Sequence, residues 1–116
     1  MCCSDKNGGN CCPSAQIFKE EFCGNFVGGT GPQTVWATSA LGEYFEGTFQ
    51  IFNSSSSSAS VDGLVGLAIG GPTNFPPVPP GFTITRSTAN PVNFTITAPA
   101  GTSGTYCVIL YKRVRA

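Results

Sequence analysis

The chain has no histidine among its 116 residues. This removes Ser-His and Cys-His nucleophile pairs, the usual imidazole acid/base and every zinc site that needs an imidazole ligand. Charge is scarce too: Asp, Glu, Lys and Arg make up 10% of the chain, against about 25% in an average soluble domain. Six basic residues balance six acidic ones. A net charge of zero excludes the positive excess by which proteins grip nucleic-acid phosphates. Long apolar runs are also missing. The nearest, residues 61–69, is broken by Gly63 and Gly66 and carries Asp62, whereas a membrane-spanning helix needs ~20 apolar residues. Residues 1–9 hold no apolar stretch of the kind that marks a secretory leader, so synthesis without a signal peptide is expected. What remains is a single neutral domain. At 12.0 kDa the chain is too small for two cores, and 41% hydrophobic content with so little charge favours collapse over disorder. Neutrality leaves copies of the chain free to associate.

No segment carries a 3.6-residue apolar period with caps at both ends. From Ala15 onward the chain reads instead as short β-type runs punctuated by Gly, Pro, Ser and Asn. Strands are expected at 16–26, with an interruption near Gly24, and at 33–40, 44–52, 82–87, 91–98 and 105–115. Within 44–52, Phe45, Gly47, Phe49 and Ile51 alternate with Glu46, Thr48 and Gln50, the period of a half-buried strand. The same alternation sets Val92, Phe94 and Ile96 against Asn93, Thr95 and Thr97, and Tyr106, Val108 and Leu110 against Cys107, Ile109 and Tyr111. Residues 61–70 read as a buried or bulged strand, and the five prolines of 71–81 restrict that stretch to a loop or a sheet edge. The expected fold is all-β, a jelly-roll β-sandwich of about eight strands. It occupies residues 14–116, behind a flexible N-terminal connector of residues 1–13. Phe45, Phe49, Phe94 and Trp36 are the expected aromatic core.

Six cysteines carry the chemistry: Cys2, Cys3, Cys11, Cys12, Cys23 and Cys107. Four lie in the first dozen residues, which have no period and no face to bury. Adjacent cysteines rarely bond to each other, and in an extended chain their side chains point to opposite sides. Each Cys-Cys pair therefore presents its thiols to two different surfaces. If the first strand is extended, Cys12 and Cys23 are ~36 Å apart, far beyond the ~7 Å limit for a disulfide. The tail can reach ~40 Å, about one small domain's width. Such a tail suits a connector between copies. Cysteine enrichment without an export signal fits a protein made inside a cell and oxidised later.

The Cys11-Cys12 pair, the ten residues to Cys23, the following Gly24-Asn25-Phe26, and Gly104-Thr105-Tyr106-Cys107 with Tyr111 resemble the endospore appendage (Ena) subunits, fibre proteins of endospore-forming Gram-positive bacteria. The resemblance implies a non-enzymatic jelly-roll subunit that assembles into a pilus-like fibre, extracellular on the endospore surface. Its partners would be other copies of itself, with other appendage subunits or a spore-coat anchor; it implies no cofactor, no metal, no nucleic acid and no membrane. It further implies lateral joining by β-augmentation, and a connector locked by intersubunit disulfides. Carried over, Cys11 and Cys12 are the connector thiols and Cys23 and Cys107 their acceptors on other copies, paired Cys11 to Cys107 and Cys12 to Cys23. Two features depart from the family pattern. Gly8-Gly9-Asn10 stands where an aliphatic residue or Phe precedes the double Cys, and Tyr111 falls one residue nearer Cys107. Cys2 and Cys3 are additional connector thiols, in excess of the two acceptors.

Other readings stay open at this level. The four tail thiolates suffice for zinc, although C-C-x7-C-C is not its usual spacing. Cys23 and Cys107 can also form an ordinary disulfide within the domain. Glu20, Glu21, Glu43 and Glu46 read as solvated acids, Lys112, Arg113 and Arg115 as a solvated strand end, and 76–80 as a stiff polyproline loop. A small surface- or carbohydrate-binding jelly roll is the alternative function; it would need an exposed aromatic platform or a carboxylate cluster. A thiol redox enzyme lacks C-x-x-C and an activating cation. Sandwich edges offer unpaired backbone groups, and residues 82–85 carry none of the charges that normally block edge pairing.

Overall fold

Alternation of apolar and polar side chains produces eight strands and, among the described residues, no helix. The structure, a computed structural model, describes residues 15–38 and 43–115. The strands are β1 (Ala15–Val27), β2 (Gly31–Ala37), β3 (Glu46–Asn53), β4 (Asp62–Leu67), β5 (Thr73–Asn74), β6 (Thr83–Ala89), β7 (Pro91–Ala98) and β8 (Ser103–Arg115). They form two four-stranded antiparallel sheets, ordered β1-β8-β3-β6 and β2-β7-β4-β5. All but one of the connections cross from one sheet to the other, and the first and last strands are neighbours. This is the jelly-roll order.

The inner faces meet over β3 and β7. Gly47, Phe49, Ile51 and Asn53 are the buried residues of β3, and Phe94, Ile96 and Ala98 those of the second half of β7. Phe49 and Phe94 stand across the sandwich with ring centroids 5.0 Å apart, and Phe75, Tyr106 and Trp36 extend the aromatic contacts on either side. Burying one such Phe is worth about 1.5–3 kcal/mol. Phe45 lies outside this core. It is half-buried and packs on Tyr111, 6.3 Å between centroids.

Between β6 and β7 a single residue, Asn90, turns the chain from one sheet to the other. Its φ of 55° is the left-handed conformation that Asn tolerates better than most residues. Its N–H donates to the Phe45 carbonyl and its own carbonyl accepts from Ala68. At one end of the sandwich, buried Asn53 donates from Nδ2 to the carbonyls of Ala59 and Val78, both at 2.8 Å. It thereby ties the serine-rich loop and the proline-rich loop to β3. Of the proline-rich stretch, Thr73 and Asn74 pair at the sheet edge against β4 and Val78 forms an isolated antiparallel bridge with Val61, while Phe75 and Val78 anchor it to the core. β4 is bulged between Gly66 and Leu67.

Strand ends shift from expectation by up to three residues, and the interruption expected near Gly24 is absent. β1 runs unbroken through Gly24. That glycine provides room for a ring, described below.

Candidate assembly site

β1 and β8 pair over thirteen residues, and the register sets Cys23 directly opposite Cys107. Their Cα atoms are 4.1 Å apart and the two sulfurs form a disulfide across 84 residues of sequence. Alternation decides which way the bridge faces. Phe26 on β1 and Val108 and Leu110 on β8 point into the core, so Cys23 and Cys107 point outward. The bridge heads an outer row that continues through Gln50 of β3 to Thr85 of β6. Cys23 is exposed, on the edge strand; Cys107 is half-buried, one strand further in.

The two sequence motifs beside the cysteines prove to be partners. Gly24 pairs with Tyr106, Asn25 with Thr105 and Phe26 with Gly104. A Cβ on Gly24 would lie 2.4 Å from the Tyr106 hydroxyl, and one on Gly104 would lie 2.0 Å from the Phe52 carbonyl oxygen and 2.7 Å from the Phe26 ring. Both sites demand a residue without a side chain because aromatic rings fill the space beneath the ladder. The glycines hold open the packing that keeps the two cysteines in register.

A second cluster, which the sequence reading missed, fixes the other end of this sheet. Tyr44 donates its hydroxyl to Glu20 Oε1 at 2.9 Å. Lys112 Nζ lies 3.3 Å from Glu20 and 3.8 Å from Glu43, with the Tyr44 ring 5.7 Å away. Thr38 donates to Glu43. Burial first, then the bond to Glu20 and the charges of Glu20 and Glu43, push the Tyr44 hydroxyl up to about 12. Glu20, Glu43 and Lys112 are thus a half-buried ion cluster, not the separate solvated charges expected. Glu21 faces the other way and is exposed, 3.8 Å from Lys19.

Four strands carry free edges: β1 and β6 in one sheet, β2 and β5 in the other. β6 is seven residues long, mostly exposed, with Arg86 its lone charge. β2 is also seven residues long, carries no charge, and has Pro32 near its start. Among the described residues, no group of three or more His, Cys, Asp or Glu is placed to hold a metal ion. The exposed aromatics Phe18 and Phe82 lie at opposite ends of the β1-β8-β3-β6 sheet by register, so they form no common platform.

Of the expected site residues, the structure brings Cys23 and Cys107 together. In the single chain they form one closed cystine, the within-domain bridge left open by the sequence, and the register sets them opposite each other. Cys2, Cys3, Cys11 and Cys12 lie outside the described residues. The family model of the endospore appendages (Enas) matches residues 9–114, nearly the whole chain and all four cysteines from Cys11 onward. The chain belongs to the endospore appendage family. The match starts after Cys2 and Cys3. A solved structure described as "Bacillus endospore appendages form a novel family of disulfide-linked pili" is similar over 98% of this chain and 96% of that one, with a TM-score of 0.72. At 14% sequence identity, that likeness is one of fold. No curated protein matches the chain.

Proposed function

We propose that this appendage-family chain is a structural, non-enzymatic subunit of an extracellular fibre on the endospore surface, built from copies of itself. Other appendage subunits or a spore-coat anchor would be further partners. Residues 14–116 are the building block and residues 1–13 the connector that locks it to other copies through disulfides. The observation that carries this reading is a thiol count set against a position. The domain contributes two cysteines, side by side on an exposed outer face at a sheet edge, while the other four stand in the first twelve residues.

The pairing carried over from the family resemblance is Cys11 to Cys107 and Cys12 to Cys23. Neighbouring residues of an extended segment face opposite ways, so one connector addresses acceptors on two different copies. Each acceptor pair is then served by two connectors. Laterally, the free edge of β6 on one copy adds to β2 of the next, which matches it in length and in its scarcity of charge. Main-chain hydrogen bonds supply the contact, and a heterologous contact of this kind builds rings where its rotation closes and filaments where it does not.

Negative-stain microscopy of purified protein tests the assembly: filaments are expected, with high-mass species in detergent gels that a thiol reductant dissolves. Monomer under both conditions would reject the proposal. Lysines at the exposed β6 positions, Thr85→Lys with Ser87→Lys, should abolish lateral association and leave the domain folded. Unchanged fibres from that variant would dismiss β6 as the joining edge.

A further inference from the structure

The closed Cys23–Cys107 bridge bears on how such crosslinks form. Two thiols held opposite each other on a paired ladder are at a far higher effective concentration for one another than any thiol on a second molecule. Oxidation of a free subunit therefore closes this bridge first and leaves no acceptor thiol. A connector that arrives later meets a disulfide.

We infer that the Cys23–Cys107 cystine is itself the acceptor: a first connector opens it by thiol–disulfide exchange, and the thiol so released is the one a second connector takes. This rests on the connector reading above and adds the order of events. The geometry selects the sulfur attacked. Exchange proceeds in line, the incoming thiolate approaching opposite the departing sulfur. The S–S bond runs from β1 across to β8. On the far side of Cys23 lies the free edge of β1; on the far side of Cys107 lies Gln50 of β3, its partner on the same outer face. Attack at Cys23 comes from open solvent, at the more exposed of the two cysteines.

The steps balance. The Cys12 thiolate of one copy bonds to Cys23 Sγ, the Cys23–Cys107 bond breaks, and Cys107 leaves as a thiolate; no oxidant is consumed. Cys11 of a second copy then joins Cys107. That step removes two electrons and two protons, which a low-molecular-weight disulfide such as cystine accepts, leaving two thiols. An acceptor thus needs one external oxidising equivalent during assembly instead of two. A subunit that no connector has reached exposes no domain thiol to side reactions.

The test uses two full-length variants. The acceptor carries Cys2, Cys3, Cys11 and Cys12→Ser, with its domain bridge closed. The donor carries Cys2, Cys3, Cys23 and Cys107→Ser and is reduced. Mixed anaerobically without oxidant, they should form one intersubunit disulfide per acceptor, mapped to Cys23, with one newly maleimide-reactive thiol at Cys107. If linkage appears only after the acceptor is first reduced and cystine then added, the exchange inference is overturned and the connector proposal stands. If neither route links them, both fail. A connector mapped to Cys107, with Cys23 released, overturns the edge approach. Should the donor fold poorly, differential alkylation of the unaltered chain during assembly reads the same order. The Cys23–Cys107 peptide should be present at the start and decline as labelled Cys107 appears transiently; its absence from the unassembled subunit contradicts the inference.

Discussion

Reduction of the Cys23–Cys107 bridge in the isolated domain should weaken the fold markedly, and the structure sets the size of the effect. The bridge joins the first strand to the last across 84 residues, so the covalent loop encloses nearly the whole sandwich. In the chain-entropy treatment, releasing a loop of that length costs about 4.6 kcal/mol, and measured losses for native disulfides run about 2–5 kcal/mol. Taking roughly 3 kcal/mol, a domain of this size should lose about 12–24 °C in Tm. The assay is thermal unfolding, by circular dichroism, of the variant with Cys2, Cys3, Cys11 and Cys12→Ser, with and without a phosphine reductant. Its connector thiols are gone, so reductant acts on the domain bridge alone. The variant that also carries Cys23→Ser and Cys107→Ser should melt at the lower temperature under both conditions. A Tm indifferent to reductant in the first variant would refute the reasoning, because it would mean the register does not close the bridge.

Gly24→Val should destabilise the same domain by about 1–3 kcal/mol through overpacking, since a Cβ there meets Tyr106 at 2.4 Å; chemical denaturation checks this, and adding Tyr106→Ala should cost less than the two single losses summed. Asn53→Ala should cost about 1–3 kcal/mol, because it strips the donor from the Ala59 and Val78 carbonyls; hydrogen exchange should speed up at the Val61 and Val78 amides, which bond each other's residues at 3.1 and 2.9 Å. Tyr44 is raised from 10.0 to about 12, so its contribution is complete below pH 10 and is lost as pH rises toward 12. The loss is steepest near pH 11, at most about 1.4 kcal/mol per pH unit. Denaturation at pH 9, 10, 11 and 12 should show Tyr44→Phe losing less stability over that window than the unaltered domain, and parallel losses would contradict the assignment.

The strands were legible because their signal is local. Phe49 and Ile51, and likewise Phe94 and Ile96, alternate with polar neighbours, and each pair is buried. The outward direction of Cys107 followed from the same alternation, since Tyr106, Val108 and Leu110 take the inner face. What local pattern does not carry is register between strands far apart in sequence. Nothing near Cys23 or Cys107 announces that they lie opposite each other; that depends on the first and last strands becoming neighbours. The Glu20, Glu43, Lys112 and Tyr44 cluster was hidden for the same reason, since its members come from β1, β8 and the segment before β3. Gly24 misled in a simpler way. A glycine in a strand reads as a break, yet here it accommodates an aromatic ring from the neighbouring strand. The connector proposed for residues 1–13 rests on composition and spacing, in Cys11-Cys12 and the distance to Cys23.

The central claim is that the sulfurs of residues 1–13 close on other copies. Fibres grown from an equal mixture of unlabelled and 15N-labelled subunits, digested without reductant and analysed by mass spectrometry, test it most directly. The account predicts disulfide-linked peptides joining Cys11 to Cys107 and Cys12 to Cys23 in which one half is labelled and the other is not. Linked peptides of uniform isotope throughout would contradict it, since every bridge would then lie within one chain.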